Sequence, residues 1–287
     1  MVPTVTVSDA SAPRKSIDSS TSKAYLVGGG IASMAAAAFL IRDGDFLGHN
    51  ITILEELNDI GGSLDGSGSA EKGYVLRGGR MLESKYLCTY ELFSSIPTLD
   101  ESKTVTEEIF AWNETMKTSS KSRLVRDGIR QTAPEFGLSE KHILTIERLA
   151  LEPEAFLGRS SISDQFDPMF FKTNFWFMWC TTFAFQPWHS AVEFKRYLVR
   201  FSHMVAGFDR LQGIMRTVYN QYDSMVRPLR KWLDDRGVVF QTDTCVTDIG
   251  ISEQNGGTTA THIIYERSGR AGEIVVGASD FVLVTLG

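Results

Sequence analysis

A chain of 287 residues with 43% hydrophobic content has material for one large or two ordinary domains around a sizeable core. Its formal charge of −6, with no basic block, argues against nucleic acid as a partner. Three scattered cysteines, Cys88, Cys180 and Cys245, form neither a C-x-x-C pair nor an even set. They argue against a disulfide framework or a zinc site, and for reduced thiols in a cytoplasmic compartment.

Residues 1–23 are rich in Ser, Thr, Pro and Val, lack an apolar stretch and carry Asp9 and Asp18, which predicts a disordered leader rather than a signal peptide. No run reaches the roughly 18 apolar residues of a membrane span, so the chain is expected to be soluble, or at most peripheral at a membrane. From Ala24 a short apolar run breaks at Gly28, Gly29 and Gly30, and Ile31 to Ile41 then contains no charge. A second apolar run, Ile51 to Leu54, ends on Glu55 and Glu56. The pattern predicts strand, glycine turn, buried helix and strand, a βαβ unit of the dinucleotide-binding kind.

Each part has a physical task. Gly28 permits the tight turn, and Gly30 lets the backbone approach a pyrophosphate at the N-terminus of the helix that opens with Ile31, Ala32 and Ser33. Ser33 stands where the G-x-G-x-x-G fingerprint has its third glycine, and is small enough for close helix–strand packing. Glu55 is the expected acceptor for the adenosine ribose hydroxyls, with Glu56 as the alternative. Gly61, Gly62 and Ser63, then Arg77-Gly78-Gly79-Arg80, fit a chain passing close to a bulky cofactor, which favours FAD over NAD.

Tyr86 to Pro97 has helical spacing, and Ser102 to Trp112 reads as a connection out of the cofactor domain. Lys121, Arg123, Arg126 and Arg130 form a basic patch that suits a solvated surface or linker. Between Ser139 and Pro153, the spacing of Ile143, Ile146, Leu149 and Leu151 suits a short helix. Phe166 to Trp188 holds ten aromatic residues, either a dense helical core or the wall of an apolar tunnel or interfacial lid for a lipid chain. Ser190 to Glu193 reads as a capping box, starting a helix with Ala191, Phe194, Leu198 and Phe201 on one face and Tyr197 beside it.

Leu211 to Trp232 is expected to hold one or two helices interrupted at Tyr219–Tyr222, before an amphipathic Met225 to Asp235 that Gly237 terminates. Strands are expected at Val238–Gln241 and Cys245–Ile249, the second bringing backbone near Val246 to the adenine. A hairpin (His262–Glu266, Glu273–Val276) and a last strand from Asp280 follow. Because that strand returns toward the dinucleotide and stops at Gly287, the chain reads as a fragment.

The blocks VGGGIASMAAAAFLIRDG, ITILEELNDIGGSLDG, GYVLRGGRMLESKYLCTYELFSSIPTLD, FQPWHSAVEFKRYLVRF and YNQYDSMVRPLRKWL resemble the oleate hydratase family, also called myosin-cross-reactive antigens. The resemblance spans nearly everything from Lys23 to Gly287. It implies FAD-dependent, non-redox addition of water to the cis double bond of oleic acid or a similar unsaturated free fatty acid, giving a 10-hydroxy acid. It also implies a fold: an α/β, FAD-binding Rossmann-like domain (24–110 and 211–287) with an inserted, mainly α-helical, aromatic-rich substrate portion (111–210), C-terminally incomplete. Members are often dimeric, so a homodimer is expected.

By the same resemblance the proton-donating tyrosine falls on Tyr197 and a substrate-pocket glutamine on Gln221. The glutamate assigned to the attacking water falls on Met81, whose thioether cannot act as a base. Either Glu83 takes that role, or reduced flavin and backbone position the water, or activity is low. The residues that hold the fatty-acid carboxylate in the family fall downstream of Gly287 and are not carried over. Met81 also motivates a redox flavoenzyme, a desaturase or amine-oxidase relative, as a second reading. A catalytically silent, flavin- and lipid-binding remnant is the third.

Overall fold

The computed structural model describes residues 18–64, 66–75, 81–119, 125–130, 135–254 and 257–285. The leader up to residue 17, Arg77, Gly79, Arg80, Lys121, Arg123 and Gly287 lie outside the described residues. The first elements are β1 (Ala24–Val27), α1 (Ile31–Arg42) and β2 (Ile51–Leu54), at the places the glycine and apolar spacing predict. Short pieces follow: β3 (Ser67–Ser69), β4 (Gly73–Val75) and β5 (Leu82–Glu83), then α2 (Leu87–Phe93) and α3 (Val105–Thr115). The Ser102–Trp112 segment, read as a connection, is therefore largely helix, with Thr104 accepting from and donating to Glu107 across its first turn.

A hairpin of β6 (Val125–Arg126) and β7 (Ile129–Arg130) precedes five helices: α4 (Glu140–Leu151), α5 (Glu154–Leu157), α6 (Ile162–Gln165), α7 (Asn174–Phe183) and α8 (Ala191–Phe201). Beyond them come β8 (Ile214–Met215), a π-helical turn over Tyr222–Val226 continuing into α9 (Arg227–Asp234), then β9 (Val239–Gln241), β10 (Thr244–Gln254), β11 (Gly257–Arg267), β12 (Arg270–Val275) and β13 (Phe281–Val284). No helix starts at Leu211: that residue adopts φ +52 after a 3-10 segment, Ser202–Arg210, and the chain extends into β8. Gly237 ends α9 with φ +81, its N–H bonded to the Asp234 carbonyl.

The chain divides into two compact units. The first comprises Met1–Met81, Lys85–Trp112 and Arg216–Gly287. Its centre is a four-stranded sheet in the order β13-β1-β2-β9, with every pair parallel. Parallel strands are covered on both faces and so read as unbroken apolar runs, which explains why AYLV and ITIL are buried almost throughout. Helix α1 packs through Ser33, Met34, Ala37 and Ala38, all buried; alanines let it lie close to the strands. The antiparallel meander β10-β11-β12 contributes Ile263 and neighbouring Val276 to a cluster with Tyr25, Val27 and Leu54.

The second unit comprises Leu82–Ser84 and Asn113–Met215, with Leu82 and Glu83 of β5 pairing antiparallel with β8. Its core is made of rings. Phe166 stacks on Phe170 at 3.8 Å, Trp179 stacks on Phe175 at 5.5 Å and on Phe208 at 5.7 Å, and Phe194 meets Trp179 edge-on at 5.7 Å. Helix α8 buries Ala191, Phe194, Leu198 and Phe201, the face its sequence predicts, and Ser190 accepts from the Glu193 N–H, one half of the predicted box.

The short helix expected between Ser139 and Pro153 is α4, and of its apolar positions Leu149 is the buried one. Ile143 is 45% and Leu151 85% exposed, while His142 and Leu149 are buried. His142 is used as a cap: Ser139 Oγ accepts from its N–H, and its Nδ1 accepts from the Ser139 N–H. Its Nε2 thereby faces Asp167 Oδ1 at 3.3 Å, and ring packing against Phe170 holds it there.

Candidate functional site

In the first unit, the C-terminal ends of β1 and β2, the start of α1 and the start of β10 surround a cavity of about 420 Å³. Its position outside the carboxyl ends of parallel strands is where open α/β sheets bind ligands. Gly28, Gly30, Ile31, Ala32, Glu55, Gly62, Ser63 and Val246 all line it; Ser33 lies buried beneath.

The glycines differ in what they avoid. Gly28 has φ +95, and a Cβ there would sit 2.4 Å from the Thr285 carbonyl oxygen. At Gly30 an added Cβ would meet only Gly62 Cα, 4.0 Å away, so nothing in the protein forbids a side chain; its absence keeps the cavity open beside the helix end. That end carries no side-chain cap and no acid in its first turn, leaving helix-terminal N–H groups and the positive dipole end for an anion.

Glu55 is 8% exposed and organises the floor. Its Oε2 accepts from the Gly29 N–H at 2.5 Å and its Oε1 from the Leu57 N–H at 2.9 Å. A carboxylate offers about four acceptor positions, so two remain for a diol. Its backbone is fixed too, the N–H donating to the Gln241 carbonyl and the carbonyl accepting from Thr244. Glu56 is exposed at the rim beside Cys245; burial, followed by the Glu56 charge, raises that thiol's pKa. A register shift in β10 between Val246 and Asp248 turns the strand at the cavity wall. The arrangement can hold a dinucleotide: an anion at the helix end, a ribose at the carboxylate and a base along β10.

Gly29, Leu57, Thr244, Cys245 and Thr285 also line this cavity and were not singled out from sequence. Gly29 sits inside the fingerprint and Leu57 two residues past its acid, where spacing alone marks them. Nearby, the Gly61 loop packs against the π-helical turn, where a Cβ on Gly61 would come within 3.3 Å of the Tyr222 ring. The Tyr222 hydroxyl donates to Asp59, 3.0 Å from each carboxylate oxygen, and burial, then Asp59, raises the phenol's pKa. Gln221 is the half-buried residue that opens this turn.

Met81 belongs to the first unit and is 38% exposed. Glu83 and Tyr197 belong to the second. Glu83 is 2% exposed, with His203 Nε2 3.4 Å from one carboxylate oxygen and an Arg200 nitrogen 3.9 Å from the other. Tyr197 is half-buried among Phe183, Phe185 and Phe201, ring centroids 5.1–5.6 Å away. Among the described residues no cluster of His, Cys, Asp and Glu could hold a metal ion, and no helix is long and apolar enough to cross a membrane.

Comparison with known proteins places this geometry in context. The chain is 38% identical over 280 residues to oleate hydratase of Streptococcus pyogenes serotype M49 (strain NZ131), covering 96% of this chain and 47% of that protein. It is 33% identical over 293 residues to linoleate hydratase of Lactiplantibacillus plantarum, covering 93% and 51%. The chain thus spans about half the length of the curated relatives it matches.

Among solved structures, the CLA-producing fatty acid isomerase from P. acnes superposes with a TM-score of 0.55 at 16% identity, over 94% of this chain and 60% of that one. Cyclohexylamine oxidase from Brevibacterium oxydans IH-35A gives 0.53 at 14% identity, over 88% and 56%. At such identities the likeness is one of fold. The MCRA family profile matches residues 21–287, and the chain belongs to that family.

Proposed function

We propose that this chain carries the cofactor cradle and part of the substrate site of an FAD-dependent fatty-acid hydratase. The reaction is addition of water to the cis-9 double bond of oleic acid or a similar unsaturated free fatty acid, giving a 10-hydroxy acid without net electron transfer. The observation that carries this reading is the 38% identity to oleate hydratase over 96% of the chain. The cavity fits the cofactor: the open helix end at Gly30–Ser33 receives the pyrophosphate, Glu55 or Glu56 the ribose, and β10 backbone near Val246 the adenine. Gly62 and Ser63, with Arg77, Gly79 and Arg80, take the part of the cofactor beyond the pyrophosphate. When bound, FAD would supply a flat ring that is electron-rich in its reduced form.

The chain's own residues supply the proton chemistry. An unactivated alkene needs a proton donor and an oriented water in a dry cavity. Tyr197, set among phenylalanines, donates the proton to one alkene carbon, and Gln221 positions the chain. Water adds to the other carbon and, with a thioether at position 81, its one released proton goes to the carboxylate of Glu83. That proton then passes back to the tyrosinate, which restores both groups. A homodimer and peripheral contact with a lipid surface, as the source of the fatty acid, fit the same reading.

Purified protein with added FAD and oleic acid should yield a product heavier by one water. Glu83→Gln should abolish it, and Met81→Glu should raise the rate by about 10²–10⁴-fold if position 81 is the true seat of the base. A Glu83→Gln variant that turns over normally would overturn the Glu83 assignment, and a gain from Met81→Glu would then move the base to position 81. The redox alternative rests on Met81 itself: a desaturase or amine-oxidase relative would bleach the flavin in proportion to substrate consumed, and a hydratase would not.

A further inference from the structure

Thr285 is 252 residues from Ser33 in sequence, yet their hydroxyl oxygens lie 2.6 Å apart. Ser33 is wholly buried in the first turn of α1, and Thr285, just past the end of β13, lines the cavity described above. Thr285 bonds twice to the carbonyl of Val27, the residue before the glycine turn: its N–H at 2.9 Å and its hydroxyl at 3.3 Å. A carbonyl only accepts, so when the threonine proton goes to Val27 the serine donates to threonine. The result is a chain of hydrogen bonds through Ser33, Thr285 and Val27 that ties the end of the last strand to both sides of the glycine turn.

The inward placement of the serine hydroxyl bears on ligand binding. A glycine at position 33 would have no hydroxyl to give, and an outward-facing serine would compete with a ligand for the helix-terminal N–H groups. Here the hydroxyl is spent inward, away from the helix end. The Thr285 carbonyl also occupies the space in which a side chain at Gly28 would stand, 2.4 Å from its Cβ position. The seating of β13 therefore fixes the shape of the glycine turn.

We infer that Ser33 and Thr285 are positioning residues that couple the docking of β13 to dinucleotide affinity, the hydroxyl pair holding the glycine turn in its ligand-ready shape. The inference rests on the dinucleotide reading given under Proposed function.

The test is a double-mutant cycle on the full chain: Ser33→Ala, Thr285→Val, the pair, and Thr285→Ser as the variant that keeps the hydroxyl. Two quantities are read, the Kd for FAD by fluorescence titration and the exchange rates of the β13 amides without FAD. Each single variant should raise Kd about tenfold, the double should be no worse than the weaker single, and Thr285→Ser should stay within about twofold of the parent. The β13 amides should exchange faster in both single variants. Effects that add in the double variant, or a Kd unchanged in Thr285→Val while the parent binds FAD, would overturn the coupling. A parent that binds no FAD would instead overturn the cofactor reading, and the coupling with it. Should Thr285→Val fail to fold, Ser33→Ala against Thr285→Ser carries the comparison.

Discussion

In the first unit the side chains buried around β1 and α1 are mostly small or branched, Ala24, Val27, Ala37, Ala38, Ile51 and Ile53 beside Tyr25 and Met34, whereas the second buries a cluster of rings, Phe166, Phe170, Phe175, Trp176, Trp179 and Phe194. Small residues bring backbone close to backbone, and the polar groups left over at the strand ends and helix start become a place for a charged ligand. Rings bury large areas each but fix few backbone polar groups, so they build volume and shape rather than an anion site. The difference separates a region specified by glycine and hydrogen bonds from one specified by packing.

Substitutions at three positions sharpen or break that contrast. The largest effect is expected at Trp179, fully buried and touching four other rings: Trp179→Ala should cost about 3–5 kcal/mol in the unfolding of the second unit, read by denaturant titration of aromatic fluorescence. FAD affinity should stay as it was; if it collapses, the division of labour is wrong. Trp179 Nε1 has no hydrogen-bond partner among the described residues, so Trp179→Phe should be close to neutral, because an unsatisfied buried donor already costs about 1–3 kcal/mol.

Next comes Glu55→Ala, which releases the Gly29 and Leu57 N–H groups as well as any ribose contact. Hydrogen bonds to a charged group contribute roughly 1.5–3 kcal/mol each, so the Kd for FAD should rise about a hundredfold, with the second unit's transition unmoved. A change under about threefold would remove Glu55 from the cradle and bring Glu56 forward.

The smallest effect concerns pH. Asp167 accepts from His142 and Lys141, which hold its pKa down to about 2. A carboxylate whose pKa is depressed in the folded state adds stability above its unfolded value, about 3.9, and that stability is lost as pH falls through 2. Asp167→Asn should therefore lower the thermal midpoint of the second unit at pH 5–7, and the gap from the parent should close between about pH 4 and 2. A gap constant across that range would show that the carboxylate charge does not matter there.

Much of the first region was legible because its signals are local. Gly28, Gly30 and the acid after Leu54 announce the βαβ unit through spacing alone, and α8 shows its buried face through Ala191, Phe194, Leu198 and Phe201. What escaped depends on distant partners. Thr285 reaches Ser33 only after the whole chain has folded back, and no pattern around Thr285 marks it. On α4 the apolar spacing marked the helix but not its buried residues: the Ser139 cap and Asp167 hold His142 inward, and Ile143 and Leu151 face solvent. The start of the Tyr222 helix was obscured by its polar first turn, because Asp59 supplies from 163 residues away the acceptor that the tyrosine needs.

The placement of β1 in the sheet has a consequence for synthesis. Its β2 side can pair almost at once, but its other edge waits for β13, where Val27 meets Val284 and Lys23 donates to Asp280, 257 residues along the chain. At about 5–20 residues per second the ribosome needs roughly 13–50 seconds to deliver that partner. During that interval an apolar strand edge stands open, the kind of surface to which another nascent chain or a chaperone binds. Yield in the cell should therefore track translation speed and chaperone supply more closely than the stability of the finished sheet.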